Sequence, residues 1–188
     1  MDNRGRLLES ALQLFASRGY DAIGVQEVCE AAGVTKPTLY HYFGNKRGLL
    51  AALVQERGAP LLAELNQAVA YAGDLPQSLQ QIVATYFQFF AREPLLYRLL
   101  LASWLAIPEN EAFQVVVAFN EEQHRLVEAM FAAATVDHGN MRDRQRTYAA
   151  TFLGMINTYI SMALQRYVTL DADVQRQAVQ QFSYGIYS

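Results

Sequence analysis

The chain has 188 residues, 52% of them apolar and 18% charged, with a formal charge of −3. That apolar share excludes a disordered chain, because enough side-chain surface is available for burial to offset the entropy of ordering, and the length suits one large domain or two small ones. A lone cysteine, Cys29, excludes a disulfide framework, and with His41, His124 and His138 dispersed along the chain no standard metal-ligand spacing occurs. The first residues lack the continuous apolar stretch of a secretory signal and carry an acid where such a signal would be apolar, so the expectation is a reducing cytoplasm. Residues 1–50 hold a net +1 against −4 in the remainder, and both lysines of the chain, Lys36 and Lys46, fall in that first segment.

No alternating Val/Ile/Thr run is present, while apolar residues recur at spacings of three and four, which predicts an all-α chain. Leu8, Ala11, Leu12 and Phe15 mark a first helix from Asn3 to Arg18, stopped by Gly19. A second spans Val25 to Ala32 and is closed by Gly33. Thr35 caps a third over Lys36 to Phe43, where Pro37 costs nothing because first-turn amides lack intrahelical partners. Two short helices joined by Gly33, Val34 and Thr35 form a helix-turn-helix pattern. A long helix from Lys46 to about Tyr71 carries a bend signal at Gly58-Ala59-Pro60. Gly73 to Pro76, Glu93-Pro94 and Ile107-Pro108 then open helices reaching Arg92, Ala106 and Thr135. After a turn at Asp137 to Asn140, one helix runs to Tyr167 and a last one starts at Asp171, nine in all.

Residues 147–165 contain no charge, a length that could span a bilayer, but Thr147, Thr151, Asn157, Thr158, Ser161 and Gln165 interrupt them. Apolar residues lie on both sides, Tyr148, Phe152, Met155 and Tyr159 on one and Ala149, Leu153, Ile156 and Ile160 on the other. Burial on both sides suggests a core on one and a partner subunit on the other; a central helix of a monomeric bundle is the alternative.

On the third helix Leu39 and Phe43 share the inward face, which turns Pro37, Thr38, Tyr40 and His41 outward or sideways beside Lys36. A cation, a hydroxyl and two aromatic rings on so short a helix suit a DNA major groove; an ordinary solvated helix is the plain alternative.

Residues 19–50, with the order Ala-Gly-Val-Thr-Lys-Pro-Thr-Leu-Tyr-His-Tyr-Phe-Gly-Asn-Lys over 32–46, resemble the DNA-binding domain of the TetR (tetracycline-repressor-like) family. The resemblance implies a three-helix DNA-binding domain over residues 1–48 and a helical effector-binding and dimerisation domain over 49–188. It implies that Lys36, Pro37, Tyr40 and His41 lie at base edges and that Thr35, Thr38, Tyr42 and Lys46 hold phosphates, on double-stranded DNA. Gly24 stands where the family usually places a Ser or Thr cap, and Cys29 replaces a small alanine. One recognition helix covers few base pairs, so two copies on a pseudo-palindrome are expected. The charge-free helix and the last one (Val174, Ala178, Phe182, Ile186) resemble the family's dimer interface, assigning Ala149, Leu153, Ile156, Ile160, Val174, Ala178 and Phe182 to a homodimer contact.

In the larger domain Asn120 and His124 interrupt an apolar stripe, and buried polar groups need partners. With the effector cavity that the resemblance implies, the pocket candidates are Tyr86, Phe90, Trp104, Asn120, His124, Phe152 and Tyr159, suited to a small hydrophobic or aromatic effector. For any single one of these an ordinary core position is the plainer reading. The expected function is a homodimeric repressor released from its operator by that effector. The alternative is an effector-independent DNA-binding adaptor that docks another protein. No catalytic constellation, cofactor, metal or membrane partner is implied.

Overall fold

The structure is a computed structural model that describes residues 2–185; Ile186 lies outside the described residues. Among these residues nine α-helices form and no strand: α1 (Asn3–Arg18), α2 (Val25–Ala32), α3 (Lys36–Phe43), α4 (Lys46–Ala68), α5 (Leu75–Arg92), α6 (Pro94–Trp104), α7 (Glu111–Ala134), α8 (Gln145–Leu164) and α9 (Ala172–Tyr184), with a 3-10 turn over Gly139–Met141. None of the described helices is long and apolar enough to cross a membrane. The all-helical expectation holds, and the first three helices have the bounds read from their stripes and stops.

Several boundaries differ from expectation: α6 ends at Trp104 instead of Ala106, α8 at Leu164 instead of Tyr167, and α4 and α7 differ as follows. α4 ends at Ala68 and runs through Pro60 uninterrupted. α7 begins three residues after Pro108 because Asn110, not the proline, supplies the cap: its Oδ1 accepts from the Ala112 amide at 2.8 Å.

The chain divides into two compact units, Met1–Pro60 with Glu93–Asn120, and Leu61–Arg92 with Glu121–Ser188. In the first, α1 packs against α2, α3 and α6 around Leu7, Ala11, Phe15, Val28, Leu39 and Leu49, all essentially inaccessible to water. Ion pairs tie its distant segments: Arg4 to Glu56, and Arg57 to both Glu9 and Glu93. Gly58 is a glycine by necessity, since a Cβ there would lie 2.7 Å from the Phe119 ring.

The second unit packs α5 against α8 and α9. Its centre is an aromatic group in which Phe131 meets Tyr148, Phe152 and Phe182, and Phe152 meets Phe182 with centroids 4.8 Å apart. Tyr86, 1% exposed, donates its hydroxyl proton to Gln123 Oε1 at 2.9 Å, so a buried polar pair sits within an otherwise apolar interior.

Candidate nucleic-acid interface

The short α3 stands on two anchors. Leu39 is fully buried and Phe43 nearly so, with the Arg4 guanidinium 5.4 Å from the Phe43 ring centre. Four residues apart, they commit one stripe of the helix inward, and the remaining positions turn outward: Lys36, Pro37, Tyr40, His41 and Tyr42 are exposed, Tyr40 by 48% and Tyr42 by 40%. Thr38 is half-buried, and its hydroxyl pairs with that of Thr35 at 2.9 Å. His41 and Tyr42 meet edge to face, 5.2 Å between centroids, so the two rings brace each other.

The neighbouring helix ends are set by residues that the outward stripe alone would not single out. Asn45 Oδ1 accepts from the Gly48 amide at 2.8 Å, opening α4. A Cβ on Gly48 would fall 2.0 Å from the Phe43 carbonyl oxygen, so α4 can start directly beneath the end of α3 only with glycine there. At Gly24 the missing hydroxyl cap is partly replaced: Glu27 Oε1 accepts from the Gly24 amide at 3.1 Å. That bond, then Arg18, holds the Glu27 carboxyl below its ordinary range. Cys29 is buried, and its burial pushes the thiol pKa upward.

Lys46 departs from the picture of a freely solvated cation. Its ammonium lies 3.9 Å from the centre of the Tyr20 ring and is half-buried. Burial lowers its pKa, while Asp21 and Glu111 act in the opposite direction. The Tyr20 hydroxyl donates to the Glu111 carboxylate, and burial first, then this bond, raises the Tyr20 pKa.

The pocket candidates are shared between the two compact units. Trp104 and Asn120 belong to the first unit, the other five to the second. Trp104 stacks on Phe113 with centroids 5.5 Å apart. Tyr86 and Phe152 are fully buried in packed surroundings, and Gln123 rather than a ligand answers the Tyr86 hydroxyl. His124 is half-buried, which lowers its pKa. Phe90 borders a cleft of about 400 Å³ with Phe87, Ala163 and Arg166, whereas Tyr159 borders a separate groove.

The interface candidates differ in how far their own chain covers them. Ala149, Leu153, Ile156 and Ile160 are each 3% exposed or less, and Ala178 is fully buried, so their own chain already covers them. The face that α8 leaves outward carries Thr147, Thr151, Met155, Thr158, Tyr159 and Met162, and with Gln181 and Phe182 it lines a groove of about 590 Å³. Val174 and Phe182 are half-buried. Helical periodicity shows that two sides are apolar, but not which one the rest of the chain covers first.

Comparison with known proteins agrees with this arrangement. Residues 7–53 match the family described as bacterial regulatory proteins, tetR family. The transcriptional activator FasR of Mycolicibacterium smegmatis is 29% identical over 184 residues, spanning 98% of this chain and 82% of that protein. The transcriptional repressor KstR of the same organism is 27% identical over 136 residues, 72% of this chain and 64% of that one. In fold, the chain is similar to the regulator PfmR of Thermus thermophilus, with a TM-score of 0.77 at 23% identity over 100% of this chain and 99% of that one. It is also similar to FadR of Bacillus subtilis in complex with stearoyl-CoA, with a TM-score of 0.79 at 16% identity over 97% and 99%. Residues 7–53 thus match the tetR family of bacterial regulatory proteins, and the chain as a whole is similar in sequence to the transcriptional regulator FasR.

Proposed function

We propose that the chain works as a homodimer in which residues 1–48 read DNA while residues 49–188 bind a small hydrophobic or aromatic effector and pair the subunits. The observation that carries this reading is the outward face of α3, where large side chains stand in water on a helix that Leu39 and Phe43 hold rigidly from behind. Exposing two tyrosines on an eight-residue helix wastes apolar burial unless something covers them. In a major groove Lys36, Pro37, Tyr40 and His41 meet base edges, and Thr35, Thr38, Tyr42 and Lys46 take phosphates.

Pairing of subunits is supported by the outward face of α8 and by the need of so short a helix for a second half-site. An effector with a long apolar chain is supported by the likeness in fold to FadR, whose structure contains stearoyl-CoA. Such a ligand changes DNA affinity only if it binds the DNA-competent and released arrangements unequally. The reading is repression relieved by the effector, as the name of KstR suggests; activation is the second reading, favoured by FasR, the relative that spans nearly the whole chain.

The test is selection of a bound sequence from a random duplex pool, followed by titration with and without long-chain acyl thioesters and small aromatic acids. An effector that weakens binding severalfold supports the proposal. Tight binding that no such compound alters replaces it with the effector-independent adaptor. A reporter that loses expression on adding the protein supports repression; a gain establishes activation.

A further inference from the structure

We propose that the first turn of α7 competes with DNA for Lys46: Asp21, Glu111 and the Tyr20 ring form an internal counter-site that holds the lysine ammonium until a phosphate takes it. The inference rests on the phosphate role given to Lys46 above and concerns residues that need not touch DNA themselves.

Three contacts build the counter-site. The ammonium lies 3.9 Å above the Tyr20 ring centre, within cation–π distance. Tyr20, 5% exposed, donates its hydroxyl proton to the Glu111 carboxylate, which increases electron density on the ring face that the lysine meets. Asn110 joins the remaining carboxylate to the same helix end: its Nδ2 donates to Asp21 Oδ2 at 2.6 Å while its Oδ1 caps α7. Both carboxylates thus lie at the positive end of the α7 dipole, which attracts negative charge. Of the other cations nearby, Arg18 is already paired with Glu27, and Arg47 is the weakest of the influences acting on Tyr20.

This arrangement makes the availability of a backbone-binding cation depend on where α7 begins. Displacing Asn110 and Glu111 changes affinity for phosphates and leaves the outward face of α3 unchanged. DNA affinity therefore responds to the α7 end with no change in sequence preference.

The experiment is fluorescence titration of a mixed-sequence DNA duplex at low ionic strength with full-length protein, Glu111→Gln, Lys46→Ala and the double variant. Glu111→Gln keeps an acceptor for the Tyr20 hydroxyl and removes the charge. The expected result is binding about threefold tighter for Glu111→Gln, the size of a partly exposed charge contact, with no such gain when Lys46 is already alanine. Tyr20→Phe, which keeps the ring and drops the hydroxyl, changes affinity in the same direction. An equal gain in both backgrounds means that Glu111 merely repels DNA and overturns the inference; unchanged or weaker binding by Glu111→Gln also overturns it. Unmodified protein that ignores the duplex refutes the DNA-binding reading itself, a different failure from either of these.

Discussion

Both compact units have apolar interiors and polar contacts between distant segments, Arg92–Glu64, Tyr71–Asp137 and Tyr86–Gln123 in the second, and they differ in emphasis. In the first, charged and polar side chains join segments far apart in sequence: Arg4 reaches Glu56, Arg57 reaches Glu9 and Glu93, Tyr20 reaches Glu111 and Asn110 reaches Asp21. In the second, the central contacts are between rings, Phe131, Tyr148, Phe152 and Phe182. In the first unit these directional bonds set which side chains of distant segments meet. Ring contacts add cohesion through buried area together with edge-to-face and tilted geometry. The Arg57 side chain is 33% exposed, so its pairs orient more than they stabilise.

That contrast predicts unequal sensitivity to substitution. The largest effect is expected in the ring cluster: Phe152→Ala removes a fully buried side chain and costs about 3–5 kcal/mol by denaturant unfolding. A loss below about 1 kcal/mol would mean that the cluster is not the mechanical centre of its unit. Gly58→Ala is next. The new methyl meets Phe119, and overpacking should outweigh the gain in helix propensity for a net loss of about 1–3 kcal/mol.

On the DNA side the comparison is between side chains of one surface. Lys46→Ala is expected to weaken binding to every sequence and to flatten the dependence on salt by about one ion per subunit, whereas Tyr40→Ala changes preference at particular base pairs. An operator titration in which Tyr40→Ala acts uniformly and Lys46→Ala selectively would mean a different docking of α3.

The smallest effect is in acid. The Glu9 carboxyl is held below its ordinary range by the Gln13 amide and then by Arg57, and the Glu56 carboxyl by Arg4. Carboxyls with a lowered folded pKa contribute stability above the unfolded value near 4.5, and that contribution is lost as pH falls through the folded value. Amide exchange in α1 should therefore quicken relative to α8 between about pH 5 and pH 3. Equal acceleration in both helices would show that the ion pairs do not distinguish the units.

How much is legible in the residue order varies along the chain. α1, α2 and α3 can be placed residue by residue because the apolar stripe, Thr35 at the start of α3, and Gly19 and Gly33 at the stops of α1 and α2 are all local. The exposed face of α3 is legible for the same reason, since Leu39 and Phe43 leave its neighbours one direction to point. The start of α7 is misplaced by sequence because Pro108 is the louder signal and Asn110 the actual cap. Gly48 gives no signal beyond its type, because what requires it is the Phe43 carbonyl on the preceding helix.

By itself the sequence determined that the chain is helical, where its first helices begin and end, and which short helix faces water with tyrosines and a lysine; those outcomes depend on spacing within a few turns of one segment. Tertiary structure alone decided that Ala149, Leu153, Ile156 and Ile160 face their own chain, that the pocket candidates are divided between two units, and that Lys46 rests on Tyr20 beside Glu111. The physical reason is that periodicity reports how many sides of a helix are apolar. What covers each side, and which charges meet, depends on segments brought together only when the chain folds.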